Sequence, residues 1–355
     1  MEGISKKFND KANVLIIRPI AISDLSGYIG LHTLIFWNSK SKPRAQDYFQ
    51  WKLYKNPFGH TQGVVAIAND KLVGIYTSTP MPVRVDNTIH ICYEVVASSV
   101  HPDYRGRYIF HKLFFKTKAL FLENAKNSLL FGFPNEKAIK SGVRSLTYKK
   151  ILHIREYLKI FDFRAFIDKK KHPIFLRALL YLVSPVINHL LNFDIKTDYP
   201  VEINPISKLP SDYEAFWEEA KKKYRILIER NRTYFQWRFF DEPYFNNQVF
   251  EARINKKLVG YFVLRFEDKF VHVVDFFCLR KEKIIKSVFY AMLGLVKKRK
   301  AWKLSFRIKD DYIEELIAKE KFFVEKTNAF VIAELDNQFS VSGNWYLTGN
   351  SYDLG

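Results

Sequence analysis

Val100-His-Pro-Asp-Tyr-Arg-Gly-Arg-Tyr-Ile-Phe110 is the stretch on which the reading of this chain turns. The apolar run His90–Ser99 before it predicts a strand, and Ile109–Glu123 after it predicts a helix. A strand therefore gives way, through an Arg-Gly turn, to a helix. The first-turn N–H groups of a helix lack intrahelical acceptors, and the helix dipole adds partial positive charge there. With Arg105 and Arg107 alongside, the turn is a seat for a phosphate, and a pyrophosphate is the expected occupant.

The bulk of the chain supports packed domains. Its 355 residues suit two domains better than one, and 48% apolar with 16% aromatic residues excludes a disordered chain. Cys92 and Cys278 both lie in apolar, strand-like runs and read as buried structural thiols. No CxxC, HExxH or Cys/His cluster occurs, so no metal site is expected. A formal charge of +20 favours anionic partners: nucleotides, nucleic acid or an acidic membrane surface. Met1–Asn13 is polar and charged, unlike a signal peptide, and a cytoplasmic protein is expected.

In chain order, Val14–Ile20 reads as a strand, and Ser23 or Asp24 caps a helix carrying Leu25 to Ile35. Tyr48–Tyr54 reads as a short aromatic helix. Gly63–Ala68 and Lys71–Tyr76 form a hairpin around Asn69-Asp70, and Asp86-Asn87 turns the chain into the strand holding Glu94. After the Arg-Gly turn and its helix come strand Ser128–Phe133, helix Glu136–Arg144 and strand Tyr148–Leu158. Ile174–Phe193 is amphipathic, with Arg177, Ser184, Asn188 and Asn192 on one side and Phe175, Leu179, Leu182, Val186 and Leu190 on the other. Pro185 lies within it. It reads as a connector packed on the domains or as a segment seated on a membrane surface, helped by Lys169–Lys171.

From Asp198 the pattern restarts. Tyr234-Phe-Gln-Trp-Arg repeats Tyr48-Phe-Gln-Trp-Lys, and Asn255-Lys-Lys-Leu-Val-Gly repeats Asn69-Asp-Lys-Leu-Val-Gly. Twelve of the 27 positions of Tyr48–Gly74 are identical at this offset. This is the signature of an internal duplication. The exit from the corresponding strand, Cys278–Ile285, contains no glycine, so the second copy has the fold without the phosphate turn.

The turn Val100-His-Pro-Asp-Tyr-Arg-Gly-Arg with Ile109-Phe110, and the later Gly132-Phe-Pro-Asn135, resemble the GCN5-related N-acetyltransferase (GNAT) superfamily over about Val14–Leu158. The resemblance implies an α/β fold, a mixed and mostly antiparallel sheet flanked by helices. The duplication makes it two GNAT-like lobes: an acyl-CoA-binding lobe at 12–165, a helical connector at 166–195 and a degenerate lobe at 196–345. It also implies acetyl-CoA or another acyl-CoA as co-substrate, bound by Ser99, Val100, Arg105, Gly106, Arg107, Tyr108, Ile109 and Asn135. Two positions depart from the family pattern. Tyr108 stands where glycine or alanine is usual, and Gly142 stands where a thiolate-protonating tyrosine is usual.

Glu94 lies six residues before Val100, on the same face by the period of a strand, and the resemblance implies a general base there. Tyr148 is the candidate acid, and the backbone N–H near Ser99 or Val100 would polarise the thioester. Asp275 lies near the Glu94-equivalent position of the second copy, and that copy, without a phosphate turn, is expected to shape the acceptor site or to stabilise the first copy by packing. Asn344–Thr348 reads as a cover for the acceptor cleft or as a terminal strand. The expected activity is N-acylation of a small-molecule amine, such as an amino sugar of surface-polysaccharide synthesis. A tRNA-dependent aminoacyltransferase of the Fem type, using the basic surface for RNA, and a non-catalytic binding protein are the alternatives.

Overall fold

Asn69–Asp70 and Asn255–Lys256 both turn through left-handed backbone, with φ of 50°, 57°, 49° and 66°. Two-residue hairpins need that conformation, and asparagine tolerates it. The computed structural model of the chain describes residues 15–36, 46–124, 129–146, 148–169, 173–191, 197–334, 341, 343 and 345–349.

The first lobe runs β1 (Leu15–Pro19), α1 (Leu25–Phe36), α2 (Gln46–Tyr54), β2 (Gln62–Ala68), β3 (Lys71–Val85) and β4 (Thr88–Val100). It continues with α3 (Ile109–Asn124), β5 (Leu129–Gly132), α4 (Glu136–Ser145) and β6 (Lys149–Ile160). Two connector helices follow, α5 (Phe163–Lys169) and α6 (Ile174–Leu191). The same order then recurs with two added strands. It runs β7 (Glu202–Ile206), α7 (Tyr213–Lys221), β8 (Ile226–Ile228), and α8 (Arg232–Phe235), which passes into a π turn at Gln236–Phe240. Next come β9 (Asn247–Ile254), β10 (Lys257–Glu267), β11 (Phe270–Cys278), α9 (Glu282–Lys298) and β12 (Lys303–Lys309). The chain closes with α10 (Asp311–Lys319), β13 (Phe323–Glu334) and β14 (Trp345–Thr348).

Among the described residues all these strands join one sheet, ordered β1-β2-β3-β4-β5-β13-β6-β12-β11-β10-β9-β7. The lobes exchange strands β6 and β13. β13 lies antiparallel between β5 and β6, and β6 lies antiparallel between β13 and β12. Each lobe thus completes the sheet of the other. β8 pairs with β3 and with β14, and β14 pairs with β12, which closes a ring of strands across the junction. One face of this ring packs on a core drawn from both lobes, including Trp51, Met81, Phe131, Ile154, Ile226, Trp237, Phe330 and Trp345. The opposite face of the first lobe packs on α3 through Val64, Tyr76, Tyr93, Leu113 and Phe114.

The start of α1 is pinned as its sequence suggests. The Asp24 carboxylate accepts from Ala21 N at 2.8 Å and from both terminal nitrogens of Arg18 at 2.7 and 2.6 Å. Cys92 and Cys278 are buried free thiols, and burial pushes the Cys92 thiol up to about 12.

Asp275 is held inside the protein, away from solvent. It is fully buried and takes Arg230 bidentately at 2.8 and 3.1 Å, with Tyr261 Oη at 2.9 Å and Thr348 Oγ1 at 2.7 Å. A buried charge needs such partners, and these tie β11 to β14 and to the residues after β8. The closing segment is no lid over the first lobe. Of Asn344–Thr348, Asn344 lies outside the described residues and the rest is β14.

Candidate active site

The site arises where two parallel strands part. β4 and β5 pair only at Tyr93↔Leu130 and Glu94↔Phe131. Beyond Glu94 the strands diverge, and the edge of β4 faces a cavity of about 480 Å³ lined by Glu94–Ser98, Gly132–Asn135 and Tyr148. A second cavity of about 540 Å³ continues from it, sharing Ser98, Asn135 and Ala138, and reaches Ser99, Val100, Arg105, Gly106, Tyr108 and Ile109. The structure therefore brings the sequence-predicted residues other than Arg107 to one cleft.

A bulge shapes that edge. Opposite β3, Ser78 pairs with Val95 and Thr77 with Ala97, which leaves Val96 as an extra residue. A bulge takes its extra residue out of the ladder and re-aims the side chains that follow. The expectation that Glu94 and Val100 share a face is overturned for this reason. Glu94 opposes Thr79, and Ala97, three residues on and opposite Thr77 on that same face, belongs to the core shared by the lobes. Val100 opposes Gly74 and joins the core under α3.

Glu94 is 3% exposed, a buried carboxylate and not a solvated one. Tyr148 lies just ahead of β6, on the α3 side, and its Oη is 2.7 Å from Tyr76 Oη. Burial pushes the Tyr148 hydroxyl up to about 12 and carries Tyr76 well above the ordinary tyrosine range. A side chain begun at Gly142 would meet Tyr148 Cδ2 at 2.0 Å. The Tyr148 ring thus fills the space beside residue 142, where the family tyrosine is missing.

At the turn, Gly106 has φ 78° and Tyr108 has φ 57°. The left-handed backbone at Tyr108 explains why glycine is usual at that position. The Tyr108 ring is 74% exposed, set edge-on to His111 with centroids 5.8 Å apart. Arg105 Nε donates to Val100 O at 3.2 Å, and Arg107 donates to Asp103 O at 3.3 Å and lies over the Tyr104 ring. Both arginines are exposed beside the start of α3. Asn135 is the N-cap of α4, its Oδ1 accepting from Ala138 N at 3.0 Å, and it borders both cavities.

Sequence reading missed the wall supplied by the exchanged strands. Glu156 of β6, Arg307 of β12 and Lys326 of β13 stand side by side in register and line the first cavity. Arg307 donates to Glu156 Oε2 at 2.6 Å. His32 and Phe36 of α1 complete the lining. No sequence signal marks these residues, because only the exchange brings them to the cavity that Glu94 also lines.

Among the described residues, the corresponding gap in the second lobe is filled. β11 and β12 pair over Phe270–Val273 and then part, and β14 enters between them. Tyr346 Oη donates to Phe276 O, and Gly349 lies against Val273 and Val274. The chain itself fills the gap that stays open in the first lobe.

Residues 16–141 match the family model described as an acetyltransferase (GNAT) domain. No protein of curated function matches the chain. Among solved structures it resembles a GCN5-related N-acetyltransferase from Anabaena variabilis ATCC 29413, with TM-score 0.60 and 11% identity over 91% of this chain and 73% of that one. It resembles a conserved Enterococcus faecalis V583 protein of unknown function at TM-score 0.61 and 14% identity over 91% and 73%. Saccharomyces cerevisiae N-myristoyltransferase with bound myristoyl-CoA follows at TM-score 0.60 and 12% identity over 90% and 78%. The chain thus has the fold of these acyltransferases. The match to the acetyltransferase (GNAT) domain family lies in the first lobe, and over the whole chain the likeness is one of fold.

Proposed function

We propose that this chain is an acyl-CoA-dependent N-acyltransferase with one active lobe, the first. The observation that carries the reading is the continuous cleft from Glu94, along the unpaired edge of β4, to the left-handed turn Gly106–Tyr108 and the start of α3. An extended thioester with a pyrophosphate at its far end suits that shape. The first-turn amides of α3 with Arg105 and Arg107 would hold the phosphates. The second lobe, filled by β14, supports the first lobe and lends Arg307 and Lys326 to the acceptor wall. The repeated element order supports reading the lobes as copies of one ancestor.

In the reaction the amine nitrogen bonds to the thioester carbonyl carbon and the carbon–sulfur bond breaks. Glu94, on the acceptor side, takes the proton the amine loses. Backbone N–H groups at the Val96 bulge polarise the carbonyl. Tyr148, from the α3 side, donates a hydrogen bond to the departing sulfur. With its hydroxyl near 12, it stabilises the thiolate (a thiol has a pKa of about 8.5) without surrendering its proton. A small amine that also carries an anionic group, such as an amino sugar on a nucleotide carrier, suits the cations Arg307 and Lys326, which line the same cavity as Glu94. A donor of this kind implies a cytoplasmic enzyme.

Thermal unfolding with and without acetyl-CoA tests the reading. Acetyl-CoA should raise the melting temperature, and Arg107→Glu should abolish the rise. No rise with wild type, together with retention of the protein by aminoacyl-tRNA, would replace acyl-CoA with an aminoacyl donor.

A further inference from the structure

α6 is mounted the wrong way round for a helix of a globular protein. Its polar side faces the body. Ser184 is fully buried, its Oγ accepting from Arg164 Nε at 2.8 Å, and Asn188 Oδ1 accepts from Phe163 N at 2.7 Å. Arg177 and Tyr181 pair with Asp168 of α5. Lys159 and Lys321 cap the carbonyl oxygens of Leu191 and Leu190.

The apolar side faces outward. Phe175, Leu179, Leu182, Val186 and Leu190 recur three or four residues apart, one stripe along the helix, and are 75, 57, 78, 62 and 48% exposed. Only 6% of the helix is buried. A continuous apolar stripe of this length is rarely left to water.

We propose that α6 seats the protein on an anionic lipid bilayer, with this stripe in the acyl boundary and the helix axis along the surface. Charge selects the occupant. Lys169 ends α5, Lys170 and Lys171 follow it in the sequence, and Arg164 and Arg177 lie nearby, on a chain of formal charge +20. Basic flanks beside an apolar helix face draw acidic headgroups. At 18 residues the helix is about 27 Å long, from 1.5 Å per residue. Its polar contacts with the body run from Arg177 to Leu191, so it lies on the membrane and does not cross it. The proposal is independent of the acyl-transfer reading.

The test is co-sedimentation of the full chain with phosphatidylcholine vesicles, with and without phosphatidylglycerol, beside light scattering in lipid-free buffer. Wild type should bind the anionic vesicles, and more weakly as salt rises. Leu179→Glu with Leu182→Glu should lower binding at least tenfold while the melting temperature holds. Leu182→Cys bearing an environment-sensitive dye should shift to the blue on anionic vesicles. Absence of wild-type binding, or unchanged binding by the double variant, would overturn the proposal. So would a lipid-free dimer that the double variant disperses, which would make a second copy the occupant.

Discussion

Trp51 and Trp237 stack across the junction of the lobes, with ring centroids 5.1 Å apart and planes 24° from parallel. Trp51 Nε1 donates to Trp237 O at 3.0 Å, and the two residues are 186 positions apart, the offset of the sequence repeat. Contacts around them come in matched pairs. Tyr48 meets Tyr244 at 5.6 Å, and Phe58 meets Tyr234 at 6.2 Å, which is the same contact with the partners interchanged by 186. The repeated aromatics are thus the seam itself. Trp237→Ala should cost about 3–5 kcal/mol in urea unfolding. The double variant with Trp51→Ala should lose less than the sum of the single losses. Additive losses would mean that the two rings stabilise their lobes separately.

Gly142→Ala should act through Tyr148. The new methyl would meet the ring at 2.0 Å, and a ring wedged against Tyr76 has little room to yield. The expected result is a stability loss of about 1–3 kcal/mol and a fall in kcat, with acetyl-CoA affinity held. Tyr148→Phe should reproduce the fall in kcat while leaving stability closer to wild type.

Tyr148 also fixes an expectation for pH. Its folded pKa, about 12, lies above the free value of about 10, so the protonated form is the one the fold favours. The associated stability is complete below pH 10 and is lost as pH rises through 12. The rate should therefore show no basic limb from this residue between pH 6 and 10. A limb in that range that Tyr148→Phe removes would overturn the assignment.

Glu94→Gln should lower kcat roughly 100-fold or more while acetyl-CoA still raises the melting temperature as in wild type. Loss of both together would make Glu94 a structural carboxylate.

Tyr108→Gly should leave stability equal or slightly higher. Release of left-handed strain, about 1–2 kcal/mol, is offset by the flexibility that glycine gives the unfolded chain. Donor affinity should stay within about threefold by calorimetry, because the ring is exposed. A tenfold weakening would show that Tyr108 stacks on the donor.

Much of this was legible in the sequence because it is local chemistry. Asn69-Asp70 and Asn255-Lys256 specify their turns, Gly106 marks the left-handed step before α3, and the repeated aromatics mark the seam. What stayed hidden depends on partners. Nothing in Glu94-Val-Val-Ala97 distinguishes a bulged strand from a regular one, so the face of Glu94 was read one residue out of step. Amphipathicity showed that α6 has two sides, but which side meets the protein depends on Ser184 and Asn188 finding Arg164 and the backbone of Phe163. β6 and β13 would each be satisfied by any neighbouring edge. Their exchange, and with it Arg307 and Lys326 in the cleft, is a property of the folded whole.

That exchange bears on how the chain is made. As synthesis passes residue 160, β5 has no neighbour on its outer side, because the strand that pairs there ends at Glu334. The half that would hold the donor therefore leaves the ribosome unfinished, with an open sheet edge exposed for as long as the remainder takes to emerge. Contacts of such long sequence separation predict slow folding. They also predict that a protein cut within the connector yields two halves prone to aggregate when apart, which regain activity only when refolded together.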